Sequence, residues 1–347
     1  MALDTNAISA VLNRRFDDAL SSQINRSVIL PQLVPVRRAS SQVLQWVAKF
    51  GTAAPTTAVI ADGANVTVFN SDTKKPALLT FGTYHDAFGI TGKAMASAAA
   101  SGNPAELVNL FREEIEESIP RLASAMAVDF YKGTGVGENM TGLTATAGAI
   151  RGTGVYANID RAAFPQWAGN EDAFGGVQRP LSIQLMRKMR RLIYTASGMK
   201  PDFILCDPTM HESYGELMGD KRQYHEDVTI RGRTVTLDGG YGALMFDKIP
   251  VIEDINAPPS SMLFLNSRTI DIQQLPSPAD TVNRAQGEVG LKGTEEEQFG
   301  ESNTSLTARV QPLAVNGDLF NFGLFAYPQI RSRRPNANGY LTDLLPA

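Results

Sequence analysis

The stretch that most constrains this chain runs from Asn103 to Gly133, NPAELVNLFREEIEESIPRLASAMAVDFYKG. Asn103 can cap a helix N-terminus, Pro104 suits the first turn, and Glu106 stands three residues after the cap, as in a capping box. Leu107, Leu110, Phe111, Ile115, Ile119, Leu122, Met126 and Phe130 recur at spacings of three and four, which makes one face apolar. Glu113, Glu116, Glu117, Arg121 and Asp129 fall mostly on the other face, and Gly133 is a natural stop. At ~1.5 Å per residue, about 29 helical residues span roughly 43 Å, around twice the average globular helix. Pro120 removes one backbone donor inside the pattern and predicts a local bend. A long, bent, one-sidedly apolar rod needs a sheet to lie against. It predicts a spine, not a pocket.

Composition adds a few bounds. A chain of 347 residues, 43% hydrophobic and 20% charged, can bury a large core, most simply as two domains. Its net charge of −4 argues against long-range attraction to nucleic acid as the organising force. Cys206 is the only cysteine, which excludes intrachain disulfides. No apolar run approaches the ~20 residues that span a bilayer, and MALDTNAISAVLNRRFDDAL lacks a signal-peptide layout. These features predict a soluble protein from a reducing compartment, with no membrane partner.

Before the spine, residues 1–45 carry helical signals around Asn6–Leu20 and, running slightly past the arm, Ser40–Val47, joined by the extended SVILPQLVPVRR. That layout predicts an arm lying across something else. In residues 46–95, Val66, Val68, Leu78, Leu79, Phe81, Tyr84 and Phe88 suggest two long strands around the polar tip NSDTKKP. A lone hairpin is marginal in water, so it either folds onto its own domain or is secured by a neighbouring subunit. After the spine, GTGVGENMTGL is a turn-rich exit. Its glycines follow a helix C-terminus, where carbonyls point outward, whereas a phosphate cradle needs a helix N-terminus.

Residues 151–267 predict a regular α/β unit. Leu181, Leu185, Met189, Leu192 and Ala196 mark an amphipathic helix from Pro180 to Gly198, with Arg187, Lys188, Arg190 and Arg191 on its polar face. DFILC reads as a buried strand, PTMHESYGELMG as a helix, and VTIRGRTVTL as a hairpin about Arg231-Gly232. Residues 277–303 turn polar and irregular, 306–330 return to strand signals, and the tail RSRRPNANGYLTDLLPA reads as irregular.

Catalytic constellations are thin. Cys206, Asp207 and His211 sit at a strand-to-helix junction, where a thiolate nucleophile could be activated by the helix N-terminus. The simpler account is a small apolar cysteine ending a strand, with Asp207 capping the helix that Pro208 begins. His85, His211 and His225 show no HxxxH or HxH pairing, so no metal or other cofactor is predicted. Glu113, Glu114, Glu116 and Glu117 read as a solvated helix face, with Glu117 and Arg121 a supportive i,i+4 pair. About half of the basic signal at 187–191 is explained by the preference of cations for a helix C-terminus; ion pairing with a neighbouring acidic surface accounts for most of the rest, with phosphate contact as the alternative.

Taken together, the order of parts resembles the major capsid protein of tailed bacteriophages. The segments that carry the resemblance are DFYKGTGVGENMTGL (129–143), DFILCDPTMHESY (202–214), GALMFDKIPVIED (242–254) and SMLFLN (261–266). The resemblance implies an α+β fold with an N-terminal arm at 1–45 and an extended loop at 46–95. It further implies a peripheral domain at 96–150 plus 268–347 and an axial domain at 151–267. It implies a non-catalytic shell protein forming pentamers and hexamers of an icosahedral head around double-stranded DNA, in a virion assembled in the host bacterial cytoplasm. The implied partners are copies of the same chain, a separate scaffolding protein, a portal, decoration proteins, and packaged DNA held without sequence-specific binding. Lys74, Lys75, Arg187, Lys188, Arg190 and Arg191 are the inter-subunit contact candidates. Some relatives join a loop lysine to an asparagine on another subunit, which draws attention to Asn336 and Asn338, although non-covalent closure is the default. A bacterial nanocompartment shell is the alternative within this architecture, and a cysteine-dependent hydrolase using Cys206 and His211 is the rival outside it.

Overall fold

The computed structural model describes residues 28–50, 74–100, 104–219, 224–225, 227–230, 233–236, 243–275, 306, 308–313 and 318–345. For residues 98–100, 104–113, 224–225, 227–230, 233–236, 243 and 309–312 only the backbone path is described. The expected helix at Asn6–Leu20, the strand positions Val66 and Val68, and the polar stretch 277–303 lie outside the described residues.

The spine is a helix over Pro104–Lys132 with Pro120 inside it. Ile115, Ile119, Leu122, Met126 and Phe130 are all buried, while Glu116, Glu117 and Arg121 face solvent. The apolar stripe has its sheet. Strand Tyr84–Thr91 runs against the helix, pairs antiparallel with Leu319–Ala326, and through it with Arg309–Pro312. Tyr84, Phe88 and Ile90 alternate inward along that strand, and the Phe88 and Phe322 rings stack at 5.7 Å. Arg121 ties the helix to the sheet through Asp86 at 3.0 Å and to Glu117 at 3.2 Å.

Tyr84 and Phe88 therefore belong to the sheet under the spine and not to the hairpin. The hairpin is formed by Val43–Lys49 and Lys74–Thr80, in register from Val43 opposite Thr80 to Lys49 opposite Lys74. The helical signal at Ser40–Val47 is thus a strand instead. Leu44, Trp46 and Ala48 point inward with a period of two, and β-branched and aromatic residues favour that pleated surface. The joining stretch SVILPQLVPVRR is only partly extended: Leu30–Leu33 makes one helical turn opened by Pro31 before strand Val36–Arg38. That strand pairs with Ile270–Gln274, which pairs in turn with Pro328–Ser332.

Residues from both later regions build a seven-stranded mixed sheet. Its order is Tyr224–His225, Ala243–Phe246, Ile249–Glu253, Phe203–Cys206, Met262–Leu265, Gly339–Leu341, Asn170–Asp172. Alternation divides its side chains between two cores. Ile204, Cys206, Val251, Met262 and Phe264 face helices Ile183–Ser197 and Pro208–Met218, whereas Phe203, Leu205, Ile252, Leu263 and Leu265 join the larger core. The tail read as irregular is ordered by this sheet, because Gly339–Leu341 pairs with Met262–Phe264 and Leu344–Leu345 with Arg179–Pro180. The hairpin about residues 231–232 is present, with Asp227–Ile230 antiparallel to Arg233–Thr236. Among the described residues no helix is long and apolar enough to cross a membrane.

Candidate inter-subunit surfaces

The exit from the spine explains its glycines. Leu143 N and Thr144 N donate to Phe130 O and Tyr131 O at 2.9 and 2.8 Å, so the exit loop folds back and satisfies the helix's terminal carbonyls. Gly142 lies against this backbone: a Cβ there would stand 2.6 Å from Tyr131 O and 2.7 Å from Asp129 O. Gly135 and Gly137 take positive φ in the turn itself. The motif is a helix stop built from amides, with no free cradle for phosphate.

The basic helix spans Ile183–Ser197, not Pro180 onward, because Pro180 is held in the short strand opposite Leu345. Ser182 caps it by accepting from Leu185 N at 3.3 Å, and Gly198 closes it with φ 70°. Its cations are largely neutralised within the subunit. Arg190 pairs with Asp247 at 2.8 Å, with Arg187 3.9 Å from the same carboxylate, and Lys188 pairs with Asp172 at 3.0 Å. Arg191 is exposed and makes no ion pair among the described residues. Asp247 and Lys248 both adopt positive φ, forming the two-residue turn that presents the carboxylate to the helix.

Lys74 and Lys75 do not form the loop tip. They begin a strand opposite Lys49 and Ala48, and residues 51–73 lie outside the described residues. Lys74 is exposed, while Lys75 is half-buried with its ammonium 5.8 Å from the Phe164 ring. Asn338 is fully buried, with its Nδ2 near Thr269 Oγ1, Ser332 Oγ and Arg334 O and its Oδ1 accepting from Asn266 N. That side chain ties the tail to the end of the seven-stranded sheet and is not offered to another subunit. Asn336 is half-buried, donating to Ala196 O at 3.2 Å.

The nucleophile reading loses its geometry. Cys206 is buried in the core beneath the two helices, its Sγ 3.8 Å from Ile252 O, and burial raises its pKa. His211 turns instead to Glu253, with Nδ1 3.5 Å from Oε2, and burial lowers its pKa. Asp207 holds the N-cap position without a side-chain cap bond, and accepts from the Thr209 hydroxyl.

Two polar clusters were not visible in the sequence. Buried Asp271 accepts from Arg331 at 2.8 and 2.5 Å and from Arg333 at 2.8 Å, with Arg37 at 3.8 Å, and Trp46 of the hairpin lies over Arg331 at 5.5 Å. At the far end of the spine, Tyr131 donates to buried Asp254 at 2.5 Å, joining the helix to the seven-stranded sheet, and burial raises the Tyr131 pKa strongly.

This combination of sheet-backed spine, two-stranded hairpin and mixed seven-stranded sheet recurs in known proteins. The family model described as SU10 major capsid protein matches residues 11–300. The chain belongs to the SU10 major capsid protein family. The capsid of Cyanophage A-1(L) shares the fold at 22% identity and TM-score 0.65, over 91% of this chain and 92% of that one. The major capsid protein of this family also shares its fold with the capsid of the native GTA particle at 12% identity and TM-score 0.54, over 91% and 90% of the two chains. The holo-SrpI encapsulin of Synechococcus elongatus PCC 7942 is similar at 11% identity and TM-score 0.52, over 99% and 96%. No curated protein matches the chain in sequence. This major capsid protein is therefore a phage shell component of α+β fold, and its assemblies are arrays of like subunits.

Proposed function

We propose that copies of this capsid protein associate as pentamers and hexamers into an icosahedral phage head enclosing double-stranded DNA, without catalysis of its own. The proposed division is arm 1–45, extended loop 46–95, peripheral domain 96–150 with 268–347, and axial domain 151–267. A separate scaffolding protein, a portal and decoration proteins complete the head, which assembles in the host cytoplasm and holds DNA without reading its sequence. The observation that carries the reading is the hairpin's outer face. Val43 and Val47, the latter 59% exposed, stand on a two-stranded ribbon that a single subunit leaves uncovered, and a neighbouring copy is the natural cover. Lys74 and Arg191 are the cations offered to neighbours, while Arg187, Lys188 and Arg190 first serve the subunit's own carboxylates and Lys75 lies by the Phe164 ring of its own subunit. The family match favours a DNA-filled head over a nanocompartment, whose likeness is one of fold alone.

Negative-stain microscopy of the purified protein tests the proposal. Closed shells with five-fold and six-fold capsomers are expected. Replacing residues 51–73 by a short glycine-rich turn retains the Lys49–Lys74 pairing, so the subunit should fold while closed shells are lost. A loop-replaced protein that still closes stable shells overturns the role given to the hairpin.

A further inference from the structure

Between the exit loop and the seven-stranded sheet, residues 144–169 build a small platform against the hairpin. Strands Val155–Tyr156 and Ile159–Asp160 pair antiparallel about Ala157-Asn158, and both turn residues take positive φ, 52° and 63°. Ala157 is not a residue that visits this region readily, so its surroundings hold the turn in place. One such hold is the hairpin itself, because Leu78 N donates to Ala157 O at 3.0 Å.

The stronger hold is aromatic. Phe50, directly after strand Val43–Lys49, is buried with its ring stacked on Phe164 at 4.8 Å and edge-on to Trp167 at 5.9 Å. Trp167 is itself fixed: its Nε1 donates to Tyr156 O at 3.1 Å, and its ring stacks on Tyr156 at 5.9 Å. The Tyr156 hydroxyl accepts from Ser332 N at 2.8 Å, which fastens the platform to strand Pro328–Ser332. Phe164 meets both strands of the hairpin, since Lys75 of the second strand lies over the same ring. Trp46 on Arg331 holds the hairpin lower down, and four residues at ~3.4 Å place Phe50 about 14 Å further along the strand. With Phe164 absent, a two-stranded ribbon held only at Trp46 and Leu78 is free to swing about that lower hold.

We infer that Phe164 is a positioning residue for assembly: it clamps both strands of the hairpin to the Tyr156–Trp167 platform, so that each subunit reaches the shell with the hairpin already in the orientation the shell uses. It acts through Phe50 and Lys75, and the inference rests on the shell-forming reading above. An element ordered before association loses less conformational freedom on association, so a clamped hairpin favours closure at lower protein concentration. Phe164→Ala should raise the concentration at which shells close by about tenfold.

Amide exchange in the unassembled subunit and the concentration for closure, measured for wild type, Phe164→Ala and Phe164→Tyr, test the clamp. In Phe164→Ala, exchange across residues 43–49 and 74–80 should rise about tenfold or more, while residues 115–131 of the spine exchange as in wild type. Phe164→Tyr keeps a ring that stacks and should restore both exchange and closure. Hairpin amides that Phe164→Ala leaves unchanged overturn the clamp. Hairpin amides that loosen while shells close at the wild-type concentration overturn the positioning role and leave the shell reading intact. A second arm answers even where Phe164→Ala fails to fold: Phe50→Cys and Phe164→Cys together, joined by a short bismaleimide in the unassembled subunit, with native Cys206 buried and silent. Linked subunits should close shells at or below the wild-type concentration. Linked subunits that stay folded but close none overturn the inference, because the shell then uses another orientation of the hairpin. A wild-type chain that closes no shells in any condition overturns the shell reading, and the exchange comparison then decides the clamp alone.

Discussion

Asp271 is the residue on which the region beneath the hairpin depends electrostatically. It lies buried against Arg331, with Arg333 reaching it from the surface, so removing its carboxylate leaves the buried Arg331 guanidinium uncompensated. Asp271→Ala should destabilise the subunit by about 3–5 kcal/mol, measured by chemical unfolding. The sequence could not pair these groups, since Asp271 and Arg331 meet only through strand pairing between segments 60 residues apart. His211 makes a pH prediction. Its pKa is lowered by burial, so at acid pH the unfolded chain binds the proton more readily than the native one. Stability from this residue is present above the usual histidine pKa of ~6.5 and is lost as pH falls through the native value. Replacement by Gln should shrink the drop in melting temperature between neutral and mildly acidic pH. An unchanged drop would assign that sensitivity to other groups.

At the scale of elements, the spine was legible almost to the residue because amphipathic period, caps and length all agree on Pro104–Lys132. Its energetic weight is testable at Phe130, fully buried, where truncation to Ala should cost about 3–5 kcal/mol in unfolding experiments. The same expectation holds for Phe111, whose side chain lies outside the described residues. The exit loop offers a sharper test. Gly142→Ala forces a methyl group against three backbone atoms at 2.6–2.7 Å, and should cost about 1–3 kcal/mol or more while leaving helix content nearly unchanged. Strands were harder to place than helices. Alternation in Tyr84–Thr91 announces a strand but not its partner, so the segment was grouped with the hairpin before it in sequence. Its actual partner, Leu319–Ala326, lies more than two hundred residues away.

For the whole molecule, charge on the basic helix separates folding from association. Arg190→Ala removes the closer partner of Asp247, whereas Arg191→Ala touches no ion pair among the described residues. Assembly followed by light scattering across a salt series should therefore weaken, and lose salt dependence, chiefly in the Arg191 variant. Equal behaviour of the two variants would mean that the helix acts only through subunit stability. The sequence marked this helix as basic but not as internally neutralised, because Asp247 and Asp172 arrive from a turn and a strand that fold beside it. One feature of the connectivity bears on how such a subunit is made. The strand Gly339–Leu341 is inserted between Met262–Leu265 and Asn170–Asp172, so the sheet is bridged only once the chain has been made through Leu341. Until then, Met262–Leu265 keeps an unpaired edge and Asn170–Asp172 has no strand to hold it. A chain cut short before this strand keeps Asn170–Asp172 but loses the strand that joins it to the sheet, so truncated chains should be filtered out by their failure to fold before any contact between subunits can select against them.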